Sequence, residues 1–195
     1  MLAPWEEPFT RFGVVFEEAK RAQPKDPNAM SVATVDARGR PSVRVCLLKG
    51  FDVQGFVFFT NHRSHKGRDL LGQQVAALNF HWPALEQQVR IEGGVAQVSA
   101  QEADEYFASR PRESQLGAWA SEQSAPLSSR EALEARLEAI TTQYANSVVP
   151  RPPHWGGFRV SPERIEFWKA HPYRLHWREA YVRAGDGWEK SLLNP

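Results

Sequence analysis

Three β-rich segments, Ser31 to Val35, Ser42 to Leu48 and Gly55 to Phe59, are separated only by Asp36-Ala-Arg-Gly-Arg-Pro41 and Phe51-Asp-Val-Gln-Gly55. Those separators carry the Gly, Asp and Pro chemistry of hairpin turns, so the strands they join are expected to run antiparallel. Further strands are expected near Ala76 to Phe80 and Gln87 to Val98, then near Gly157 to Val160, Ile165 to Trp168 and Leu175 to Val182, with Gly185-Asp-Gly187 as the last turn. Helices are expected over Phe9 to Ala22, Ser64 to Leu71, Gln101 to Arg110 and from Ser128, as N-cap with Glu131 three residues on, to about Tyr144. Alternating βαβ units are absent, which argues against a dinucleotide-binding doubly wound sheet. The pattern predicts a mainly β, α+β fold, an antiparallel barrel decorated by helices. A single domain over 1–195 is expected: an N-terminal helix and linker over 1–27, a barrel core over 28–99, a helical insertion over 100–150 and C-terminal strands over 151–195.

Charge narrows the function. Twenty-four basic and 23 acidic side chains nearly cancel, so no global field recruits nucleic acid or a membrane, and any anion recognition must be local. Cys46 is the single cysteine, which excludes an internal disulfide. No apolar run is long enough to cross a bilayer, and Met1-Leu-Ala-Pro-Trp-Glu-Glu lacks the basic start of a signal peptide. A cytoplasmic setting is expected.

The densest chemistry lies in Tyr106-Phe-Ala-Ser-Arg-Pro-Arg-Glu-Ser-Gln-Leu-Gly-Ala-Trp119. On a helix, Tyr106 and Arg110 share a face, and Pro111 stops that helix. Arg110, Arg112 and the Ser114 hydroxyl then gather beside a phenol, a set suited to a phosphate monoester. A solvated helix end fits the same residues. No glycine-rich phosphate loop appears, so a phosphate must be gripped by side chains; Arg44, Lys49, Arg63, Lys66 and Arg68 are candidates. In a regular strand Arg44 and Lys49 point to opposite faces, so either a bulge realigns them or they serve different ligands. Ser64-His-Lys-Gly67 marks a helix start, where free N–H groups favour an anion. His62 and His65 have no third ligand in view, so no metal site is expected. Arg174 and His176 project together if their segment is a strand, able to hold the polar edge of a ring; an exposed strand edge fits as well.

The segment from Tyr106 to Trp119 resembles the corresponding one in pyridoxine (pyridoxamine) 5′-phosphate oxidases. So do Arg44-Val-Cys-Leu-Leu-Lys49, Phe58-Phe-Thr-Asn61, Leu85-Glu-Gln-Gln-Val89, Gln123-Ser124, Trp155-Gly-Gly-Phe158, Glu166-Phe-Trp168 and Arg174-Leu-His176, in the same order. The resemblance implies a split barrel holding FMN between two identical subunits. It implies FMN contacts at Arg44, Val45, Cys46, Leu47, Leu48, Lys49, Phe59, Thr60, His65, Lys66, Gln88, Gln123, Ser124, Trp168 and Arg178. It assigns the substrate, pyridoxine or pyridoxamine 5′-phosphate, to Lys49, Tyr106, Arg110, Ser114, Arg174 and His176, the last two also being catalytic. The implied reaction passes a hydride equivalent from substrate C4′ to flavin N5, with O₂ reoxidising the flavin to give H₂O₂. The flavin supplies the redox chemistry and the protein positions it.

The chain departs from the family pattern in several places. His65 stands where arginine is usual, Trp177 where aspartate is usual, and Leu192 where arginine is common. His171-Pro172 replaces a more glycine-rich approach, and a basic N-terminal arm is expected to be missing. A related split-barrel oxidase or reductase of the phenazine-pathway kind, or a flavin or pyridoxal-phosphate carrier, are the rival readings.

Overall fold

The computed structural model describes residues 6–195; the reading of Met1 to Trp5 lies outside the described residues. Helix α1 (Glu7–Ala22) opens the fold and buries Phe9, Phe12, Val15, Phe16 and Ala19, the face that helical spacing predicts. Hairpin strands β1 (Ala29–Val35), β2 (Pro41–Leu47), β3 (Gly50–Asp52) and β4 (Gly55–Asn61) follow, then α2 (His65–Gln73), β5 (Val75–Trp82) and β6 (Gln87–Gln97). Three helices come next, α3 (Ala100–Ala108), α4 (Arg112–Ala120) and α5 (Arg130–Gln143). The chain then returns to the sheet with β7 (Trp155–Lys169), β8 (Trp177–Ala184) and β9 (Gly187–Leu192). All strand pairs are antiparallel, in the order β2-β1-β5-β6-β7-β4-β3, with β8 also paired to β7 and β9 paired to β8. The expected α+β class and curled antiparallel sheet are what the chain forms.

The structure differs from the sequence reading in local ways. β7 is one strand of 15 residues where two were expected. Pro162 sits where the β6–β7 register shifts beside Gly93, between the stretches of β7 that pair with β4 and with β8. A proline there removes no ladder bond, and a Cβ on Gly93 would run into the Ser161 carbonyl oxygen. α3 ends at Ala108 with Ser109 as its C-cap, short of the expected Arg110, so Tyr106 and Arg110 do not share a helix face; Pro111 occupies the N-cap position of a further helix, α4. Ser129, not Ser128, caps α5, accepting from the Ala132 N–H. Arg174 and His176 are not on a strand: Pro172–Arg174 form a 3₁₀ turn, and β8 begins only at Trp177.

The core lies between α1 and the inner face of the sheet. Phe12 is its centre, fully buried, with its ring 4.8 Å from Phe51, 4.9 Å from Phe56 and 5.1 Å from Phe80. These edge-to-face contacts tie the helix to the β3–β4 hairpin and to β5 at once. A second cluster, Phe107, Leu116, Val149 and Trp155, packs the helical segment onto the start of β7. Phe12→Ala is expected to cost about 3–5 kcal/mol, the range for truncating a buried phenylalanine, read as a lower midpoint in denaturant melts.

Candidate functional site

A cavity of about 720 Å³ opens between the end of β2, the end of β4, the start of α2 and the α3–α4 elbow, within the size range of small-molecule sites. Lys49, Lys66 and Arg110 line it, and no carboxylate is among the described residues of its wall. Three cations therefore face one space with no acid beside them.

One group of lining residues surrounds Lys66. The Lys66 ammonium donates to Thr60 Oγ1 at 3.2 Å and to Gln123 Oε1 at 3.5 Å, and Thr60 donates to the same Gln123 oxygen at 3.1 Å. Both partners are neutral. Burial, and then the Arg44 charge, push the lysine pKa below its ordinary value against the opposing pull of Cys46. Ser64 caps α2 by accepting from the Gly67 N–H, which fixes the turn that presents Lys66. Cys46 also lines the cavity, and burial raises its pKa despite Lys66 and Arg44, so it is a thiol rather than a nucleophile.

The other group is built on aromatic stacking. Phe59, Tyr106 and Trp155 lie nearly parallel, with Phe59 4.1 Å from Tyr106 and 5.4 Å from Trp155. The Arg110 guanidinium rests over Trp155 at 4.8 Å, and Lys49 lies 5.9 Å from the Tyr106 ring. Burial lowers the Arg110 pKa, and its Nη1 is buried without a hydrogen-bond partner. A guanidinium left in that condition is a site for an anion, because an unpaired buried charge is costly. Ser114, in the first turn of α4, completes this side.

Several supporting residues escaped the sequence reading. Gln115 donates to the carbonyls of Phe107, Ala108 and Arg110 and so fastens the elbow that carries Arg110. Arg151 joins Asp104 on α3 to the Trp155 carbonyl. Gly157 lets Phe59 approach, since a Cβ there would lie 2.7 Å from the Phe59 ring. Its place in Trp155-Gly-Gly-Phe158 was the one available signal. Arg112, expected beside the phosphate group, instead donates to the carbonyls of Tyr144 and Ser147 and does not line the cavity.

The remaining candidates divide. Val45, Leu47, Phe59, Thr60 and Gln123 line the cavity with the residues above. Leu48 is buried in the core, and Ser124, in a turn with φ of 71°, stands outside the lining. Arg44 is turned to Thr34, Ser42 and the Val32 carbonyl, and His65 to Asp69. β2 ends at Leu47, so the alternation argument that separated Arg44 from Lys49 stops before Lys49.

Gln88, Trp168 and Arg178 form a second row elsewhere, as consecutive cross-strand neighbours on β6, β7 and β8. The His176 ring packs on Trp168 at 4.7 Å, and its Nδ1 accepts from the His171 N–H. Arg174 is exposed with a positive φ of 62°. Beneath this row Glu166, 2 % exposed, meets Arg164 at 2.7 Å, Arg178 at 2.8 Å and Arg90 at 3.6 Å. Among the described residues, no group of three or more His, Cys, Asp or Glu side chains could hold a metal ion. No helix among them is long and apolar enough to cross a membrane.

The curled sheet and its cationic cleft are those of a split barrel. The pyridoxamine 5′-phosphate oxidase family model matches residues 16–144, and the model of the pyridoxine 5′-phosphate oxidase C-terminal dimerisation region matches residues 155–195. The chain belongs to the pyridoxamine 5′-phosphate oxidase family. It is 57% identical over 189 residues to the pyridoxine/pyridoxamine 5′-phosphate oxidase of Myxococcus xanthus, covering 97% of this chain and 92% of that one. It is 54% identical to the protein of the same name from Anaeromyxobacter dehalogenans, covering 97% and 96%. Among solved structures, PhzG from Burkholderia lata in complex with tetrahydrophenazine-1-carboxylic acid superposes with a TM-score of 0.91 at 32% identity, over 100% of this chain and 98% of that one. An FMN-binding protein from Nostoc punctiforme, at 18% identity and a TM-score of 0.75, shares the fold.

Burial alone would raise the Glu166 pKa, but the Arg178 hydrogen bond and the three guanidiniums outweigh it and hold the carboxyl below its ordinary value. Its contribution to stability is therefore complete above the unfolded glutamate range, near pH 4.3, and is lost as pH falls through the lower folded value. Glu166→Gln removes the carboxylate that Arg164, Arg178 and Arg90 share, although Arg90 keeps Glu92 and Arg178 keeps the Asn194 carbonyl. It is expected to lower stability at pH 7 by about 3 kcal/mol. That loss should shrink as the wild type is itself acidified, as denaturant melts at pH 7 and pH 3 would read.

Proposed function

We propose that the protein is an FMN-dependent oxidase that converts pyridoxine or pyridoxamine 5′-phosphate to pyridoxal 5′-phosphate, reducing O₂ to H₂O₂. The observation that carries this reading is the cavity wall of three cations without a carboxylate, one of them Arg110 with a buried, unpartnered Nη1. Such a wall fits two phosphate monoesters, cofactor and substrate, better than a neutral ligand.

Lys66, Thr60 and Gln123 have the donors and acceptors for the cofactor, and Val45, Cys46 and Leu47 offer the flat surface beside it. FMN, when bound, supplies the two-electron chemistry. Lys49, Tyr106, Arg110 and Ser114 hold the substrate phosphate in this reading, and the aromatic stack keeps Arg110 oriented. Arg174 and His176 hold the polar edge of the ring and orient C4′, so turnover depends on alignment more than on a strong base.

The site is composite. Trp155 lines the cavity, and Trp168 stands thirteen positions further along the same strand, roughly 40 Å of contour at about 3.3 Å per residue. One copy therefore brings the cavity, and a second copy brings Gln88, Trp168, Arg178, Arg174 and His176. The exposed edge-strand residues Val43 and Val45, at 66% and 68%, give that second copy an apolar face to cover. A cytoplasmic homodimer with FMN at the interface is the assembly proposed.

The likeness to PhzG favours one rival, a split-barrel oxidase acting on a larger flat substrate. Phosphate dependence separates them. Purified protein with FMN in air is expected to release H₂O₂ from pyridoxine 5′-phosphate and not from pyridoxine; equal turnover of both, or of neither, contradicts the assignment. Arg110→Ala is expected to raise KM for the phosphorylated substrate about 100-fold, the scale of a lost buried charge pair. Arg174→Ala is expected to depress kcat by more than it weakens FMN binding, measured by steady-state oxygen uptake beside flavin titration.

A further inference from the structure

Gly117 is the sixth of the nine residues of α4, and nothing inside the fold asks for a glycine there. Its backbone is not left-handed, and its carbonyl accepts from the Ser121 N–H at 3.1 Å, as in any helix interior. Glycine is the least favourable helix residue after proline, and alanine the most favourable. Crowding explains other glycines of the chain: a Cβ on Gly67 would lie 2.4 Å from the His62 carbonyl oxygen, and one on Gly156 2.6 Å from the His62 ring. A Cβ on Gly117 would meet no atom within 4 Å beyond its own helix and chain neighbours. The residue borders the cavity between Ser114, one turn before it, and Ser121, one turn after, so the free space is the cavity's own. A glycine that the fold does not need, set in the wall of a ligand-sized space, is what a close approach of ligand to backbone requires.

We propose that Gly117 is a specificity-determining residue: its missing side chain leaves the room in which the phosphorylated substrate lies against the α4 backbone. The inference rests on the oxidase reading above and adds a size limit to its substrate subsite. Placement on α4 favours substrate over cofactor. Ser114 belongs to the same helix and Arg110 to the elbow just before it, whereas Lys66, Thr60 and Gln123 stand on α2, on β4 and beyond the end of α4. Residues three apart on a helix are neighbours at about 5–6 Å. With the phosphate held at Arg110 and Ser114, the substrate atoms beyond it come beside Gly117. A methyl group at that position would crowd the bound ligand, while the empty protein would gain a better helix. Stability and binding therefore respond to one substitution with opposite signs, which a merely structural glycine would not produce.

The test compares the wild type, Gly117→Ala, Gly117→Leu and Gly72→Ala, each as the FMN-loaded protein. Gly72 is the control: it is exposed near the end of α2, outside the cavity wall, and a Cβ there also meets nothing within 4 Å. Without substrate, the thermal midpoint of both Gly117 variants is expected to rise by about 2–4 °C, the scale of a better helix former in a chain of this size. KM for pyridoxine 5′-phosphate is expected to rise about tenfold in Gly117→Ala, the scale of one surplus methyl group, and further in Gly117→Leu. Gly72→Ala should keep the wild-type KM, and FMN affinity, from quenching of flavin fluorescence, should stay at the wild-type value in all. A wild-type KM in both Gly117 variants would overturn the proposal while leaving the oxidase reading intact. So would a lower midpoint in Gly117→Ala, which makes the glycine a need of the fold, or a loss of FMN affinity alone, which assigns the space to the cofactor. Absence of turnover by the wild type would remove both the oxidase reading and the inference. Should Gly117→Leu fail to fold, Gly117→Ala decides alone.

Discussion

Strand β7 is the constraint on which the rest of the molecule depends. It pairs with β6 along its length, with β4 over its first half and with β8 over its second, and it carries a tryptophan at each end. Trp155 supports the Phe59 and Tyr106 rings and the Arg110 guanidinium at the cavity. Trp168 supports His176 and stands between Gln88 and Arg178. The bulge at Gly93 and Pro162 is what lets one strand serve both halves of a curled sheet. The strand sets the two tryptophans thirteen positions apart within one chain. Symmetry can then join them in a dimer.

Electrostatics of the two groups are built on opposite plans. The outer row buries a carboxylate and surrounds it with three arginines, so the charges are mutually satisfied and serve structure. The cavity does the reverse, gathering lysines and an arginine with neutral partners and aromatic faces. Desolvation depresses the pKa of both Lys66 and Arg110, which means each is held in a setting that an incoming anion would relieve. In a chain of near-zero net charge, that local excess is the feature that selects a ligand.

Much of this was legible in the sequence because it is local. Hairpin separators gave the antiparallel pairing of the early strands, and apolar spacing gave the buried face of α1. What escaped was long-range or context-dependent. Pro111 reads as a helix stop, yet it also starts α4, and the two strands expected over 157–168 are one, continued across a bulge whose partner strand lies about seventy residues away in sequence. Arg174 and His176 were identified as a pair by the family resemblance, but their geometry is that of a strained turn rather than a strand. The polar contacts that run from Arg44 through Thr34 and Asp69 to His65 join residues from three elements, and no spacing rule could have assembled them.

The central claim is that one active site needs two copies of the chain, and mixing two defective copies tests it most directly. Arg110→Ala removes a cavity residue and Arg174→Ala a residue of the outer row, so each homodimer alone should be impaired at both of its sites. Coexpressed in equal amounts, half the dimers are hybrids, and each hybrid has one site with both arginines intact. The account predicts recovery of about a quarter of wild-type turnover, from the random pairing of two chains into symmetric dimers. Turnover no higher than that of the two variants measured separately would contradict it, and would place both arginines in the site of a single chain.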